Sequence, residues 1–276
     1  MTFLRNLSKK TIAVIIAVMV VLSSIVSTIV LVSANTIDVW DGTAAESFAG
    51  GTGTEADPYL IENGGQLYKM VADYTKFTAA DVASVVPTYF KITKDIYLNN
   101  ISPELLANDS YEDWKAAGLN VWYVAPKDQN TGFSGIIDGD GYTIYGIYQE
   151  GSSGDTTTAG LIPDVVGKAV ITNLHIRDSI CYGKCAGGIV GVVMHENSEL
   201  TVDKCTVTNT VVRGWGSSTR VAGLVGGAYA DSGKHNYVDI SNCSVTNVKL
   251  MGGSGYHSGI LGLCTDMASG DYSVKN

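Results

Sequence analysis

A short glycine-containing motif recurs along this chain of 276 residues at intervals of 28 to 36 positions. Two copies are nearly identical, and shorter copies precede and follow them. Repeats of this length are typical of solenoids, in which each unit buries its apolar face against the next. The motif therefore predicts a chain that folds by stacking similar coils. The copies are Ala159-Gly160-Leu161-Ile162, Ala186-Gly187-Gly188-Ile189-Val190-Gly191, Val221-Ala222-Gly223-Leu224-Val225-Gly226 and Ser258-Gly259-Ile260-Leu261-Gly262.

The segments after the first three copies share a second pattern, in which apolar residues are spaced three and then two positions apart. A two-residue step is the alternation of a β-strand, and the three-residue step leaves room for a corner. We therefore predict one β-helix coil per repeat, with like residues stacked about 4.8 Å apart along the axis. The inward ladders are Ile171/Val202/Ile240, Leu174/Cys205/Cys243 and Ile176/Val207/Val245, and the outward one is His175/Thr206/Ser244.

Glycine is abundant, with 32 residues in the chain. Because each coil must turn sharply several times, we expect the motif glycines to supply backbone conformations with φ > 0. Pro163 departs from the pattern, since it occupies the position of the second motif glycine in the first copy.

The first 34 residues have the composition of an export signal. Three basic residues precede an uncharged run from Thr11 to Val32, and Val32-Ser33-Ala34 has the small residues of a cleavage site. Residues 1–34 are therefore predicted to be a signal peptide, with the mature chain starting near Asn35. The run also reaches the roughly 20 residues that span a bilayer. An uncleaved anchor to the cell envelope over residues 11–32 is the alternative.

The rest of the chain is acidic. All 27 acidic residues lie after residue 34, together with all but three of the 18 basic ones. No cluster of Lys or Arg offsets this negative charge, and binding to a phosphate backbone needs one. Nucleic acid is therefore not expected as a partner.

Residues 35–132 combine helix and strand signals. Asn63 and Gln66 mark a helix start before an apolar face, and two further starts follow at Ser102-Pro103-Glu104 and Ser110-Tyr111-Glu112-Asp113. A solenoid end that is left open exposes core residues and a strand edge. We predict that this mixed α/β region covers the first coil, and that residues 133–276 form the β-helix repeats.

Several segments together resemble one family of exported bacterial proteins. The resemblance lies in Gly53–Ile61, Phe90–Ile96, Phe133–Ile147 and the glycine motifs, in this order. In these segments the chain is similar to cell-surface proteins that carry GLUG-type repeats. The resemblance implies an all-β, right-handed parallel β-helix with an N-terminal cap. It also implies adhesin-like or modular roles in large surface proteins, some of which also carry protease domains.

Asp138 and Asp140 are candidate calcium ligands in the segment Asp138-Gly139-Asp140-Gly141. Calcium binds several carboxylate or carbonyl oxygens at once. The segment lacks the third spaced acid and the closing glutamate of an ion loop, and Asp-Gly pairs are common in plain turns. We predict a turn, with calcium binding as the alternative and no other cofactor.

The chain has five cysteines. Cys205 and Cys243 occupy equivalent repeat positions, so we expect stacked interior thiols, with a disulfide between them as the alternative. Cys181 and Cys185 do not have the C-x-x-C spacing of redox enzymes, and Cys264 makes the total odd.

No group of residues has the pattern that a catalytic site requires. A glycosidase needs two carboxylates facing one cleft, and a lyase needs a basic residue near a bound uronate. The carboxylates Asp164, Asp178, Glu199 and Asp203 and the bases Arg177, Arg213 and Arg220 fall on different repeat positions. The histidines are predicted to be solvated residues of loops or outer strands: His175, His195, His235 and His257. We predict no catalytic residue.

Four aromatic residues near the turns of successive coils are candidates for stacking against sugars. Tyrosines on an outer β-surface mostly pack on their neighbours in a ladder, so we predict ladder packing, with stacking against sugars as the alternative. The candidates are Tyr182, Trp215, Tyr229 and Tyr256.

These patterns favour a non-catalytic, exported cell-surface module for adhesion or display, with a host or matrix glycan or protein as its partner. Aligning Tyr237–Asn242 with Asp271–Asn276 leaves the last coil incomplete, so we expect the N-terminal part of a longer surface protein. The alternative is a polysaccharide-active enzyme, a lyase or a glycoside hydrolase, because a fold does not fix a function.

Overall fold

A computed structural model describes residues 17–20, 37–82, 86–122, 131–150, 158–229, 235–252, 254–265 and 272–275. The chain divides into two compact units, Met1–Asp38 and Val39–Asn276. In the first unit, residues 17–20 are helical, and the rest of the predicted signal peptide or anchor lies outside the described residues. Within the described ranges, no helix has both the length and the apolar character needed to cross a membrane.

The second unit is a parallel β-helix, as the repeats predict, with short helices between its first strands. The helices are α1 (Gly64–Tyr74), α2 (Ala79–Val82), α3 (Pro103–Ala107) and α4 (Tyr111–Ala116). The strands are β1 (Tyr59–Ile61), β2 (Phe77–Thr78), β3 (Tyr89–Ile92), β4 (Ile96–Tyr97), β5 (Thr131–Asp138), β6 (Thr143–Tyr145), β7 (Thr158–Ala159), β8 (Ile162–Thr172), β9 (His175–Arg177), β10 (Ile180–Gly183), β11 (Cys185–Ala186), β12 (Val190–Val193), β13 (Glu199–Asp203), β14 (Thr206–Thr208), β15 (Val211–Gly214), β16 (Thr219–Ala222), β17 (Val225–Tyr229), β18 (Tyr237–Ser241), β19 (Ser244–Thr246), β20 (Lys249–Met251), β21 (Gly255–Ser258), β22 (Leu261–Thr265) and β23 (Tyr272–Lys275).

Equivalent strands of successive coils pair side by side to form four sheets. The longest sheet follows the order β1-β3-β5-β8-β12-β17-β22, and β13 pairs with β8 and β18, which in turn pairs with β23. The outer sheet is β4-β6-β9-β14-β19, the flank sheet is β10-β15-β20, and the fourth sheet is β7-β11-β16-β21. The named strands of the described residues pair in parallel except β2 with β5, and an isolated antiparallel bridge joins Gly50 to Leu60 of β1. The parallel stack starts at β1 and β3, ahead of residue 133.

The predicted ladder register is confirmed. Val207 pairs with Ile176 on one side and Val245 on the other, and Thr206 pairs with His175 and Ser244. Val207 has no exposed surface, whereas Thr206 is half-buried on the outer face. Cys205 is fully buried as a free thiol, in line with the expected interior ladder.

Helix α1 caps the first coil. It begins where the sequence predicts, because the Asn63 side chain accepts a hydrogen bond from the backbone N–H of Gln66 at 3.0 Å. Its buried residues Leu67, Met70 and Val71 belong to the same apolar core as the coil interior. The predicted N-terminal α/β cap is therefore present, and the helix starts predicted at Ser102 and Ser110 are those of α3 and α4.

The expected role of the motif glycines in turning the chain is wrong for the central copies. Positive φ angles of non-glycine residues occur instead at the coil corners, for example 53° at Lys204 and 52° at Asn242. Gly188 and Gly223 are not in that region. A Cβ atom on Gly188 would lie 2.7 Å from the Gly223 carbonyl oxygen and 2.8 Å from Val207 Cγ1. These positions require glycine because adjacent coils leave no room for a side chain.

Candidate functional site

Two short helices cover the outer face of the flank sheet. Its strands are apolar on both faces, because Cys181 and Val212 belong to the coil interior while Ile180 and Val211 belong to a second core. That second core includes the fully buried Trp114 of α4 and partly buried residues of α3. This cover of the flank sheet by α3 and α4 is not predicted from the sequence. Apolar residues at consecutive positions of one strand were the available signal, since they indicate burial on both faces.

Arg213 connects helix α4 to the flank sheet. Its guanidinium carbon lies 5.5 Å from the ring centre of Trp114 and 5.2 Å from that of Tyr182, within the range of cation–π contacts. Its Nη1 donates a hydrogen bond to the Asp109 carbonyl oxygen at 2.9 Å. Lys249 of the next coil forms an ion pair with the Asp109 carboxylate. Two cations from successive coils therefore hold the segment between α3 and α4.

The candidates for sugar stacking do not share one face. Tyr182 is 4% exposed and packs edge-on against Tyr111 and Trp215, so it lacks the open ring face that stacking needs. Trp215 is 36% exposed beside it, whereas Tyr256, at 54%, lies on β21 of the fourth sheet. The side chain of Tyr229 lies outside the described residues. Sugar stacking stays an alternative for Trp215 and Tyr256, on separate surfaces.

A groove of about 310 Å³ runs beside helix α3, at the corner where the coils enter the flank sheet. We call it the corner groove. Its helix side is formed by Pro103, Leu106 and Ala107, and its other side by Asp178, Asn209, Thr210, Val211, Asn247 and Lys249. An apolar wall therefore faces a wall that is rich in hydrogen-bonding side chains.

The polar wall is a ladder of equivalent corner residues. Asp178, Asn209 and Asn247 have φ angles of 50°, 49° and 52° on successive coils, a left-handed conformation that Asn and Asp tolerate better than most residues. Nδ2 of Asn247 donates to Oδ1 of Asn209 at 2.7 Å. A carboxamide has two N–H donors and an oxygen with two lone pairs. One ladder bond leaves further donors and acceptors on both carboxamides, and the Asp178 carboxylate lies 3.4 Å from Nε of Arg177.

The candidate calcium ligands lie in a turn. Oδ1 of Asp138 accepts hydrogen bonds from the backbone N–H of Asp140 at 2.9 Å and from Nδ2 of Asn173 at 3.2 Å. Oδ2 of Asp140 lies 3.1 Å from Nζ of Lys91. Protein donors therefore contact both carboxylates, and calcium binding stays an untested alternative. In the part of the chain that the structure describes, no three His, Cys, Asp or Glu side chains are grouped as a metal site.

A buried Asp–His pair joins two coils. Oδ2 of Asp164 lies 3.1 Å from Nε2 of His195, and the two side chains are 2% and 11% exposed. The other carboxylate oxygen of Asp164 has no hydrogen-bond partner among the described residues. His195 lies in a loop, as predicted, but its side chain is largely buried rather than solvated. His175 does lie on an outer strand, where its Nδ1 is 2.8 Å from Oγ1 of Thr206.

A cleft of about 530 Å³ lies near this pair, between helix α2 and the loop after β12. Strand β8 is continuous and pairs with both β12 and β13, which belong to the next coil. Between β12 and β13 the next coil leaves the sheet in a loop, residues 194–198. That loop carries His195 and one wall of the cleft. The lining residues are Ala79, Ala80, Gly167, Lys168, Glu196, Asn197 and Glu199.

We expect the buried Asp164 to make the protein less stable as the pH rises. Burial raises the pKa of Asp164 above its ordinary value, so the folded state binds this proton more tightly than the unfolded state. The contribution is fully present below the unfolded-state pKa and is lost as the pH rises through the folded-state pKa. Asp164→Asn cannot titrate and should remove this loss. Urea unfolding at intervals from about pH 4 to about pH 8 measures it.

Asp203 provides a control of opposite sign. Hydrogen bonds from Asn242 and Ser241 lower the pKa of Asp203, so its contribution is present above the unfolded-state pKa and is lost as the pH falls. Asp203→Asn should therefore remove the loss of stability that Asp203 causes in the wild type as the pH falls. If Asp164→Asn left the pH dependence of the wild type unchanged, the assigned role of Asp164 would be wrong.

Comparison with known proteins gives one sequence relative. No family model matches the chain. The chain is 28% identical over 186 residues to halomucin from Haloquadratum walsbyi, in an alignment that covers 67% of this chain and 2% of halomucin. The chain therefore spans a very small part of that protein's length.

A solved structure from Bacteroides ovatus, provisionally described as an immunoglobulin A1 protease, was also found. The two chains are 18% identical, with 83% of this chain and 77% of the other covered, at a TM-score of 0.39. A likeness at this level carries no argument about activity.

Proposed function

We propose that this chain is a non-catalytic, exported cell-surface module that binds an extended glycan in the corner groove, in the service of adhesion or display. The observation that carries the proposal is the ladder of Asp178, Asn209 and Asn247, which faces the apolar wall of helix α3. The other features are consistent with it but do not specify a ligand.

The geometry of the ladder suits a polymer that lies along the coil axis. Equivalent residues on adjacent coils are about 4.8 Å apart, which is the spacing of neighbouring strands. Amide and carboxylate groups bind hydroxyl groups through directional hydrogen bonds, and an apolar wall covers the C–H faces of sugar rings. A chain of sugar units would therefore meet a carboxylate or a carboxamide at the same position of each coil. The groove includes one cation, Lys249, which already pairs with Asp109.

The proposed export and cell-surface location of the protein are supported by its sequence. The basic and then apolar N-terminus supports export, and the resemblance to proteins with GLUG-type repeats supports a cell-surface role. The relative halomucin is many times longer than the aligned segment. This ratio is in keeping with a module inside a larger surface protein.

Binding to immobilised glycans tests the proposal. Asn209→Gly combined with Asn247→Gly removes two amides and keeps a residue that adopts positive φ without strain. We expect this variant to lose at least about 10-fold in affinity for the glycan that the wild type binds best, since each lost hydrogen bond is worth about 1 kcal/mol.

Asn242→Gly is the matched control. Asn242 has the same backbone conformation, with φ of 52°, at a corner outside the groove. Its replacement should leave glycan binding unchanged. Equal loss in the control and the groove variant, or no binding of any glycan by the wild type, would count against the proposal.

The second candidate is a polysaccharide-active enzyme, and the cleft beside Asp164 and His195 is the observation that favours it. Glu196 and Glu199 both line that cleft, and a glycoside hydrolase uses two carboxylates. Release of new chain ends from neutral or uronate polysaccharides, lost in both Glu196→Gln and Glu199→Gln, would favour this activity. The groove variant should not affect it.

A further inference from the structure

The thiols of Cys205 and Cys243 lie next to each other on successive coils. Their neighbours pair in register, Asp203 with Ser241 and Thr206 with Ser244. The backbone N–H of Cys205 donates a hydrogen bond to Sγ of Cys243 at 3.4 Å. Adjacent strands are about 4.8 Å apart, within the Cα separation of roughly 4.4–6.8 Å that a disulfide spans. A bond between the two sulfurs therefore needs rotation of side chains and little movement of the backbone.

The two thiols differ in environment. Cys205 is fully buried between Leu174 and Cys243, whereas Cys243 is half-buried beside the edge strand β19. The hydrogen bond from the Cys205 side chain lowers the pKa of Cys243 to about 7, and the same bond together with burial raises the pKa of Cys205. The lowered pKa favours the thiolate on Cys243, the sulfur that is nearer to solvent.

We propose that Cys243 and Cys205 form a redox-active pair that closes into a disulfide between coils by exchange with a small-molecule disulfide. The Cys243 thiolate attacks one sulfur of R–S–S–R, the S–S bond breaks, and RS⁻ leaves. The Cys205 thiol then gives up its proton, and its sulfur attacks Sγ of Cys243 and releases a second RS⁻. The protein loses two electrons and two protons, and R–S–S–R is reduced to two RSH.

The other described cysteines lack this arrangement. Cys181 pairs in register with Val212, and burial raises its pKa to about 12. Cys185 pairs with Thr158 and Arg220, and Arg220 donates to its sulfur at 3.5 Å. Exchange should therefore join one specific pair. The reaction is independent of the proposed glycan binding, since neither cysteine lines the corner groove.

Glutathione disulfide is the probe for the test, added to the reduced full-length chain at neutral pH. We expect wild type to lose two hydrogens in mass, and a peptide that joins Cys205 to Cys243 to appear in a digest made without reductant. Cys205→Ser should stop at the first step and accumulate one glutathione on Cys243. Cys243→Ser should leave Cys205 unmodified.

The alkylation rate of the reduced wild type gives a second measurement that needs no variant. Iodoacetamide should modify Cys243 at least about 10-fold faster than Cys181 at neutral pH, because the thiolate is the reactive form. Two results would overturn the proposal. One is a wild-type protein that keeps glutathione on Cys243 without closing the disulfide, and the other is a Cys243 that reacts no faster than Cys181.

Discussion

Val207→Asp should lower the free energy of unfolding by about 4 kcal/mol. Val207 has no exposed surface, and its ladder neighbours are Ile176 and Val245. On the opposite side of the coil, its methyl groups approach the Gly188 backbone. A carboxylate at this position has no hydrogen-bond partner, so the folded state must bury an unpaired charge or hold a proton at neutral pH. Urea unfolding followed by circular dichroism measures the change.

Thr208→Asp is the control for this prediction. Thr208 lies one residue further along β14, half-buried on the outer face, between Arg177 and Thr246. A carboxylate there faces water and a neighbouring cation, so stability should change by about 0.5 kcal/mol or less. Thr206→Asp is a poorer control because Oγ1 of Thr206 is hydrogen-bonded to His175. Similar losses for Val207→Asp and Thr208→Asp would refute the register.

The register was predictable because three repeats independently have the same spacing of apolar residues. A strand places alternate residues on opposite faces, so a shift of one position would expose every residue of the ladder. Val207 and Val245 therefore had to be inward together. The start of α1 was predictable for a local reason, since Asn63 satisfies a backbone donor that a helix leaves open.

Contacts outside the repeat pattern could not be predicted in the same way. Asp164 and His195 meet because one coil leaves the sheet in a loop where the previous coil continues as β8. Asp164 and His195 do not occupy equivalent repeat positions, so an alignment of the repeats does not predict their contact. The helices α3 and α4 were predicted as helices, but their placement on the flank sheet depends on tertiary packing against residues such as Ile180 and Val211.

The corner groove depends on both kinds of information. Asn209 and Asn247 could be identified as equivalent residues from the repeats alone, and they lie on the ladder of corners. The facing wall, which includes Leu106, comes from the unrepeated N-terminal region. The repeat pattern of the sequence can therefore identify the polar wall of such a groove, but not the apolar wall that a non-repeated segment contributes.

Gly188→Ala should destabilise the protein by about 3 kcal/mol, because a core without free volume responds to an added atom by moving its backbone. Gly259→Ala, at the equivalent motif position of the last copy, should change stability by about 0.5 kcal/mol or less, since no atom of the described residues lies within 4 Å of the added Cβ. The comparison also separates the steric explanation from a need for positive φ. Asparagine tolerates positive φ better than alanine, so Gly188→Asn would be the milder change if backbone conformation were the reason. The close approach of the Gly223 carbonyl oxygen predicts instead that Gly188→Asn lowers the free energy of unfolding more than Gly188→Ala does. Denaturant unfolding of Gly188→Ala, Gly188→Asn and Gly259→Ala decides between the two explanations.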